Sequence, residues 1–303
     1  MKMKEGLIRN MRKSAGLTQS QAAAKLHMSQ QHFSRIEKGE YGMDMWDFAS
    51  FSQIVGQSGD DFSVLYYDSE EYVDYLEYRR INRLIRDNKI DEVRAALPDF
   101  EKKTKSNRPM IQQFIALAKV ITNEDAPRER LLNELQQAIE MSIENFNEEK
   151  IADYRLNYTE ILIIYEIALK LFDLNEQERA ISILSTTIKG RKSFRATESE
   201  KSTALPQLMY ALSNFLGMTK RTQEALDVSC EALDMSIKCN NLRSVPGIIY
   251  NIACCKDILK LAPPNEIKSL LLEAYYCAKA IRRYELADII KKDAESTFGI
   301  KID

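Results

Sequence analysis

Histidine is almost absent from this sequence: two occur among 303 residues, His27 and His32, and both lie near the N-terminus. The rest of the chain therefore lacks the side chain that serves most often as a general base and as a metal ligand. Acidic residues are abundant but scattered along predicted helix faces, as is typical of solvated surface charge. We predict that the protein is not an enzyme and that it holds no metal or cofactor.

Cysteine is scarce as well, and its pattern predicts neither a disulfide framework nor a metal site. The five cysteines are odd in number and lack paired ligand spacing: they are Cys230, Cys239, Cys254, Cys255 and Cys277. Adjacent side chains on a helix point in different directions, so a redox role for the neighbours Cys254 and Cys255 is disfavoured. We expect reduced, mostly buried thiols in a cytoplasmic protein.

Long apolar runs are missing too. No uninterrupted stretch approaches the ~20 apolar residues that a membrane span requires. The first sixteen residues, MKMKEGLIRNMRKSAG, carry charges too frequently for the apolar core of a signal peptide. We therefore expect a soluble protein that does not contact a membrane.

Glycine and proline are sparse, with 10 and 7 residues respectively, and most of them stand where one predicted helix gives way to the next. No segment of any length alternates apolar and polar residues in the period-2 pattern of a strand. The sequence therefore predicts an all-α protein.

The residues that are present point first to the stretch 18–39, TQSQAAAKLHMSQQHFSRIEKG. Thr18 is a natural N-cap for one short helix, Ser29 repeats that role for a second, and Gly39 supplies a C-terminal stop. Only the segment 27–29 separates the two helices. This spacing predicts a helix-turn-helix whose second helix enters the DNA major groove.

Charge is distributed in a way that agrees with this interpretation. Residues 1–43 carry a net charge of +5, although the whole chain has a net charge of −2, so the remaining residues carry −7. A phosphate-binding head on an acidic body would show this asymmetry. A random fluctuation on a solvated surface remains the alternative.

The chemistry of the second helix suggests how bases are read. A glutamine amide both donates and accepts, so Gln30 and Gln31, on the first turn, can pair with adenine N6 and N7. We place Gln19 at a phosphate, and His32 and Arg35 at a phosphate or a guanine; for Gln31 and His32 simple solvent exposure is the alternative. The complete set of residues predicted to bind DNA is Gln19, Ser29, Gln30, Gln31, His32, Arg35 and Lys38.

Residues 9–39 resemble the phage-repressor (XRE) type helix-turn-helix of bacterial regulators. The matching positions are Arg12, Gly16–Gln19, Ala23, Met28–Ser29, Phe33–Ser34 and Ile36–Gly39. In that family the early arginine and the late glutamate pair beneath the recognition helix, so the resemblance implies a structural ion pair between Arg12 and Glu37. The sequence departs from the family at Ala22, where leucine is usual, and at His27, where glycine is usual.

Further apolar stripes at 4–15, 44–55 and 60–65 complete a predicted five-helix helix-turn-helix domain. We assign this DNA-binding domain to residues 1–66, a linker to 67–72, and a repeat, peptide-sensing and dimerisation domain to 73–303.

The sequence of residues 73–303 predicts paired helices in which an alanine recurs at a regular spacing. Ala180 and Ala225 are 45 residues apart, and Ala232 and Ala274 are 42 apart. An alanine that lets two helices approach, repeated at such a period, indicates an α-solenoid of helical hairpins. The recurring segments around these alanines resemble tetratricopeptide repeats. Their period exceeds the usual ~34 residues, so we describe the repeats as degenerate. An irregular helical bundle is the alternative.

Stacked hairpins would form a concave groove suited to an extended peptide. An asparagine amide can hold both the N–H and the C=O of a peptide backbone. The residues that we predict to bind peptide on this wall are Asn157, Tyr158, Tyr210, Asn214, Tyr250 and Asn251. The alternative is that these asparagines are ordinary residues that face solvent or pack between helices.

The combination of this head with this body resembles the RRNPP group of peptide-responsive, quorum-sensing regulators, which includes the Rgg-, PlcR- and PrgX-like transcription factors. The resemblance implies a cytoplasmic homodimer that binds double-stranded promoter DNA and a short linear signalling peptide. Two alternatives stay open: the repeats sense a protein or a small metabolite, or they form an interaction scaffold with an inert head.

Overall fold

The computed structural model describes residues 6–26, 28–43, 47, 51, 54–55, 69–104, 109–123, 125–194, 196 and 198–302. These ranges contain fourteen α-helices, two short 3-10 helices and no strand, which confirms the predicted all-α fold. The α-helices are α1 Leu7–Ser14, α2 Gln19–Lys25, α3 Gln30–Glu37, α4 Ser69–Arg86, α5 Ile90–Lys103, α6 Pro109–Thr122, α7 Arg128–Glu140, α8 Tyr158–Asp173, α9 Gln177–Lys189, α10 Glu198–Met218, α11 Thr222–Lys238, α12 Val245–Ile258, α13 Pro264–Ala280 and α14 Tyr284–Phe298. The 3-10 helices are Glu148–Asp153 and Gly190–Ser193.

The chain divides into two compact units, residues 1–104 and 105–303. The boundary that we predict at residue 66 lies outside the described residues, as do most of the segments 44–55 and 60–65. Helix α4 begins at Ser69, inside the segment interpreted above as a linker.

The three N-terminal helices share one apolar core, which also includes Met43 and Phe51. Ile8 of α1 and Phe33 and Ile36 of α3 are almost completely buried, and the ring of Phe33 lies 5.8 Å from that of Phe51. These apolar side chains fix the face on which α3 is packed. The opposite face of α3 is therefore left to solvent.

The second unit is a stack of α-hairpins. Helices α6 and α7, α8 and α9, α10 and α11, and α12 and α13 pair in succession, and α14 packs on α13. The first helices of these hairpins, α6, α8, α10 and α12, also contact one another in order, and we call them the A-helix row. The alanines of the recurring phrase, Ala180, Ala225, Ala232 and Ala274, have no exposed surface, because neighbouring helices pack directly over their Cβ atoms.

Tight turns within the hairpins use residues other than glycine. Asn175, Lys220 and Lys260 follow α8, α10 and α12, and all three have a positive φ, between 54° and 65°. Asparagine tolerates this left-handed conformation, whereas lysine adopts it at a conformational cost. These turns explain how so many helices can be joined by a sequence so poor in glycine.

None of the helices in the described ranges is both long enough and apolar enough to cross a membrane.

Candidate functional site

The helix-turn-helix is closed by side-chain caps at both helix starts. Thr18 Oγ1 accepts the backbone N–H of Gln21 at 3.2 Å, and the Gln21 side chain in turn accepts the Thr18 N–H at 2.8 Å. Ser29 Oγ accepts the backbone N–H of His32 at 3.2 Å. We predict from the sequence that Ser29 binds DNA. In the structure its hydroxyl is the N-cap of α3 and fixes where this helix begins.

A buried ion pair fixes α3 against the two preceding helices. Arg12 Nε donates to Glu37 Oε1 at 2.6 Å, Nη2 donates to Oε2 at 3.3 Å, and Nη1 donates to the carbonyl of Leu17 at 2.6 Å. Both side chains are more than 90% buried. A bidentate pair with a further backbone partner offsets the desolvation that burial imposes on the two charges.

Gln19 has a structural partner that sequence reasoning missed. Its side-chain amide nitrogen donates to Glu37 Oε2 at 2.6 Å. The Glu37 carboxylate therefore joins α1, α2 and α3, and the Gln19 amide that we place at a phosphate is engaged inside the protein. The pattern of the sequence carried no signal for this contact, because a glutamine at the start of a helix is equally compatible with solvent, phosphate or protein.

The outer face of α3 carries the other predicted DNA-binding residues. Gln30, Gln31, His32, Arg35 and Lys38 are all exposed. Because the inner face is occupied by Phe33 and Ile36, this arrangement turns the five polar side chains to solvent, where base edges or phosphates could be reached.

Two residues beyond the recognition helix fold back on it. Arg35 Nε donates to Glu40 Oε2 at 3.1 Å, and the Arg35 guanidinium carbon lies 4.6 Å from the centre of the Tyr41 ring. The His32 ring lies 5.6 Å from the same tyrosine at an angle of 55°. Sequence reasoning assigned no role to Glu40 or Tyr41.

Three of the predicted peptide-binding residues, Tyr210, Asn214 and Asn251, come together where α10 packs on α12. The Asn251 amide nitrogen donates to Asn214 Oδ1 at 2.7 Å and to Ser213 Oγ at 2.8 Å. One turn earlier on the same helix pair, the Tyr210 ring lies so close to Gly247 that any Cβ there would overlap it. The structure therefore joins these two helices by polar and aromatic side chains.

The same kind of link continues to both neighbouring helices. Tyr165 of α8 lies beside Gln207 of α10, and burial raises the pKa of its phenol to about 12. Tyr250 of α12 donates to Asp293 of α14, and burial together with this bond raises its pKa. We call the chain of links formed by Tyr165–Gln207, Asn214–Asn251 and Tyr250–Asp293 the polar row.

Beside the polar row lies a thiol. Burial raises the pKa of Cys254 to about 11, so the group stays protonated at neutral pH. Cys255, its neighbour in sequence, is buried, and burial raises its thiol pKa as well. Neither thiol has the lowered pKa of a reactive cysteine.

The remaining predicted peptide ligands, Asn157 and Tyr158, have structural roles at the start of α8. Asn157 Oδ1 accepts the Glu160 N–H at 3.0 Å, and Glu160 Oε2 accepts the Asn157 N–H at 2.7 Å, which forms a capping box. Tyr158 is 8% exposed and belongs to the apolar core. Side chains engaged in this way are poorly placed to hold a ligand.

The chain thus combines a capped helix-turn-helix with a stack of α-hairpins that carries the polar row. Comparisons with known proteins agree with both parts. Residues 6–65 match the family described as a helix-turn-helix domain. No match is found among curated protein sequences.

Solved structures match the chain along most of its length. PlcR from Bacillus thuringiensis, in complex with the peptide PapR7 and DNA, has a TM-score of 0.75 at 17% identity, covering 93% of this chain and 96% of PlcR. ComR from S. thermophilus, in complex with DNA and its signalling peptide ComS, has a TM-score of 0.62 at 14% identity, covering 97% and 98% of the two chains. A variant of the SHP pheromone receptor Rgg2 from Streptococcus dysgalactiae has a TM-score of 0.61 at 14% identity, covering 96% and 97%.

The chain therefore has the fold of PlcR, ComR and Rgg2. These proteins are RRNPP-group regulators, and the resemblance predicted from the sequence is confirmed for the fold.

Proposed function

We propose that this chain is a cytoplasmic, non-enzymatic transcriptional regulator that binds promoter DNA through α3 and is controlled by a short linear peptide on the A-helix row. The observation that carries the proposal is the presence, in one chain, of a recognition helix with an exposed polar face and a helical stack joined by the polar row. The fold shared with regulators crystallised with DNA and signalling peptides supports it.

The DNA-binding half of the proposal depends on Gln30 and Gln31. Both are exposed on the first turn of α3, where side chains of a recognition helix reach base edges. A bidentate glutamine–adenine contact contributes about 1–3 kcal/mol of discrimination. One such helix reads few base pairs, so useful specificity calls for a homodimer with two heads about one helical turn apart.

The peptide-binding half depends on Asn214, Tyr210 and Tyr250. Asn251 donates to the side-chain oxygen of Asn214, so this bond does not use the two N–H donors of the Asn214 amide. A peptide carbonyl is a suitable acceptor for them, and the half-buried phenols of the two tyrosines supply apolar contact beside it. A peptide that bonded Asn214 would act directly on the link between α10 and α12.

DNA binding is tested by selecting sequences from a random double-stranded pool with the full chain. The wild type is expected to enrich a near-palindromic site, and the double variant Gln30→Ala, Gln31→Ala is expected to lose that enrichment. Gln223→Ala, at an exposed position of α11, is the matched control. Failure of the wild type to enrich any sequence, with or without peptide, would overturn the regulator proposal.

Peptide control is tested by calorimetry with short hydrophobic peptides, including those encoded by small reading frames beside the gene. Micromolar or tighter binding that weakens roughly tenfold in Asn214→Ala, and not in the exposed control Asn265→Ala, supports a peptide receptor. If no peptide binds while DNA binding is intact, the repeats sense a protein or a small metabolite instead.

A further inference from the structure

The turn after the recognition helix places an acidic and an aromatic residue against α3. Gly39 has φ +71°, in the left-handed region that favours glycine. Its N–H bonds the carbonyl of Ile36 at 2.9 Å, and the Glu40 N–H bonds the carbonyl of Arg35 at 2.9 Å. This reversal brings Glu40 and Tyr41 back beside the last turn of α3.

Arg35 is held there from two directions. The Glu40 carboxylate takes the Nε–H at 3.1 Å, and the Tyr41 ring lies 4.6 Å from the guanidinium carbon. The Tyr41 ring also contacts His32, whose ring centre lies 5.6 Å away. The guanidinium thus loses much of the rotational freedom of an exposed arginine, although 55% of its side chain remains accessible.

We propose that Glu40 and Tyr41 are positioning residues that hold Arg35 for bidentate recognition of a guanine in the DNA major groove. The inference rests on the proposed function, because it requires α3 to enter the groove. Recognition of guanine O6 and N7 needs two donors of one guanidinium in a fixed plane. The bond from Nε to Glu40 leaves the two terminal amino groups, Nη1 and Nη2, to supply them.

The charge arrangement favours a base over a phosphate as the partner of Arg35. Glu40 accepts from Arg35 and also lies 4.0 Å from the Lys38 ammonium. A carboxylate next to the arginine repels an approaching phosphate, whereas a neutral guanine suffers no such repulsion. A phosphate contact would moreover gain little from a fixed guanidinium plane, since it is sequence-independent.

The test repeats the pooled-DNA selection with the full chain and four variants: Arg35→Ala, Glu40→Gln, Tyr41→Ala and Tyr41→Phe. The wild type is expected to prefer guanine at one position of each half-site, by roughly tenfold or more. Arg35→Ala abolishes that preference, and Glu40→Gln and Tyr41→Ala reduce it several-fold. Tyr41→Phe preserves it, because the ring remains.

A second readout separates positioning from simple charge removal. Glu40→Gln removes a negative charge near the DNA, so its binding to random-sequence DNA should tighten while its guanine preference falls. The matched control is Glu92→Gln on α5, which removes the same charge from another surface of the chain and should leave the base preference unchanged.

The remaining outcomes count either against the inference or against the proposed function. If Arg35→Ala lowers the salt dependence by about one phosphate contact and leaves base preference intact, Arg35 binds a phosphate and the inference is overturned. Unchanged guanine preference in Glu40→Gln also overturns it. If the wild type selects no sequence at all, the proposed function fails, and the inference fails with it.

Discussion

The Tyr210 ring of α10 lies directly over Gly247 of α12, one helical turn before the bond between Asn214 and Asn251 on the same two helices. A Cβ at this position would overlap the Tyr210 phenol, so glycine leaves the space that the phenol occupies; the Gly247 backbone is helical and not left-handed. The observed placement of the Tyr210 phenol therefore depends on the absence of a side chain at residue 247. Both features belong to the face that we propose as the peptide site.

Gly247→Ala is expected to displace the Tyr210 ring and to weaken peptide binding. Alanine in a helix normally gains about 0.5–1 kcal/mol over glycine, but the overlap with the ring should cancel that gain here. Gly217→Ala in α10 is the matched control. A Cβ added at this residue would meet open space, so the substitution should raise the unfolding temperature. Thermal unfolding followed by circular dichroism measures both.

A double variant isolates the contact. Tyr210→Ala combined with Gly247→Ala should be more stable than the sum of the two single effects, because the overlap no longer exists. Equal stabilisation by alanine at 217 and 247 would show that Tyr210 and Gly247 do not constrain each other.

Local signals carried most of what the sequence predicted correctly. The caps at Thr18 and Ser29 and the buried alanines at period 45 and 42 depend on residue type and spacing alone. The Arg12–Glu37 pair came from the family resemblance, and the structure brings the two side chains together at 2.6 Å.

Contacts between distant segments could not be predicted in the same way. A glutamine at position 19 has no pattern that distinguishes a protein partner from a phosphate, and Tyr250 has none that selects Asp293 on α14. The contact of Glu40 with Arg35 depends on the left-handed conformation at Gly39, which sequence reasoning used only as a helix stop. Pairing across helices is decided by packing, which a single sequence does not reveal.

Glu37→Gln is expected to destabilise the helix-turn-helix strongly. The substitution leaves the Arg12 guanidinium buried without a charged partner, which costs about 3–5 kcal/mol in comparable buried pairs. Native-state hydrogen exchange measures the effect, because loss of protection should concentrate in α1 and α3. The exposed pair Lys89–Glu92 provides the control, where Glu92→Gln should leave protection almost unchanged.

A variant that replaces both charged residues distinguishes the cost of losing the ion pair from the cost of leaving one charge buried without a partner. Arg12→Met combined with Glu37→Leu should cost clearly less than Glu37→Gln alone, because no unpaired charge remains inside the core. A larger loss in the double variant would mean that the bonds to Leu17 and Gln19, and not charge pairing, stabilise the head.

The Cys254 thiol should make the second unit less stable at high pH. Burial raises its pKa from the ordinary value of 9.0 to about 11, so the folded chain binds this proton more tightly than the unfolded chain. Stability from this group is complete below pH 9 and is lost as the pH rises from about 9 to about 11. Cys254→Ala should therefore show a shallower loss of stability across this window than the wild type.

The comparison uses the slope with pH, because Cys254→Ala also removes packing and lowers stability at every pH. Tyr165, whose raised pKa does not depend on Cys254, titrates equally in both proteins and cancels. Cys239→Ala, at an exposed position, is the matched control. Identical slopes for wild type and Cys254→Ala would contradict the prediction.

Lys260→Gly is expected to stabilise the protein, although glycine is usually a destabilising replacement. Lys260 has φ 54° in the turn between α12 and α13, and a left-handed conformation costs a residue with a Cβ about 1–2 kcal/mol. Glycine removes that cost but gains freedom in the unfolded chain, so we expect a net stabilisation of about 0.5 kcal/mol. The ion pair with Asp257, at 3.5 Å and on the surface, contributes little to the balance.

Lys268→Gly, at an exposed position within α13, supplies the opposite case. There the backbone is helical, and glycine should destabilise by about 1 kcal/mol. Because both variants remove one exposed lysine, effects of charge cancel, and the difference in unfolding temperature reports backbone conformation alone. Destabilisation of similar size in both variants would mean that residue 260 is not held in the left-handed region, and the explanation given for the glycine-poor hairpin turns would then fail for Lys220 as well.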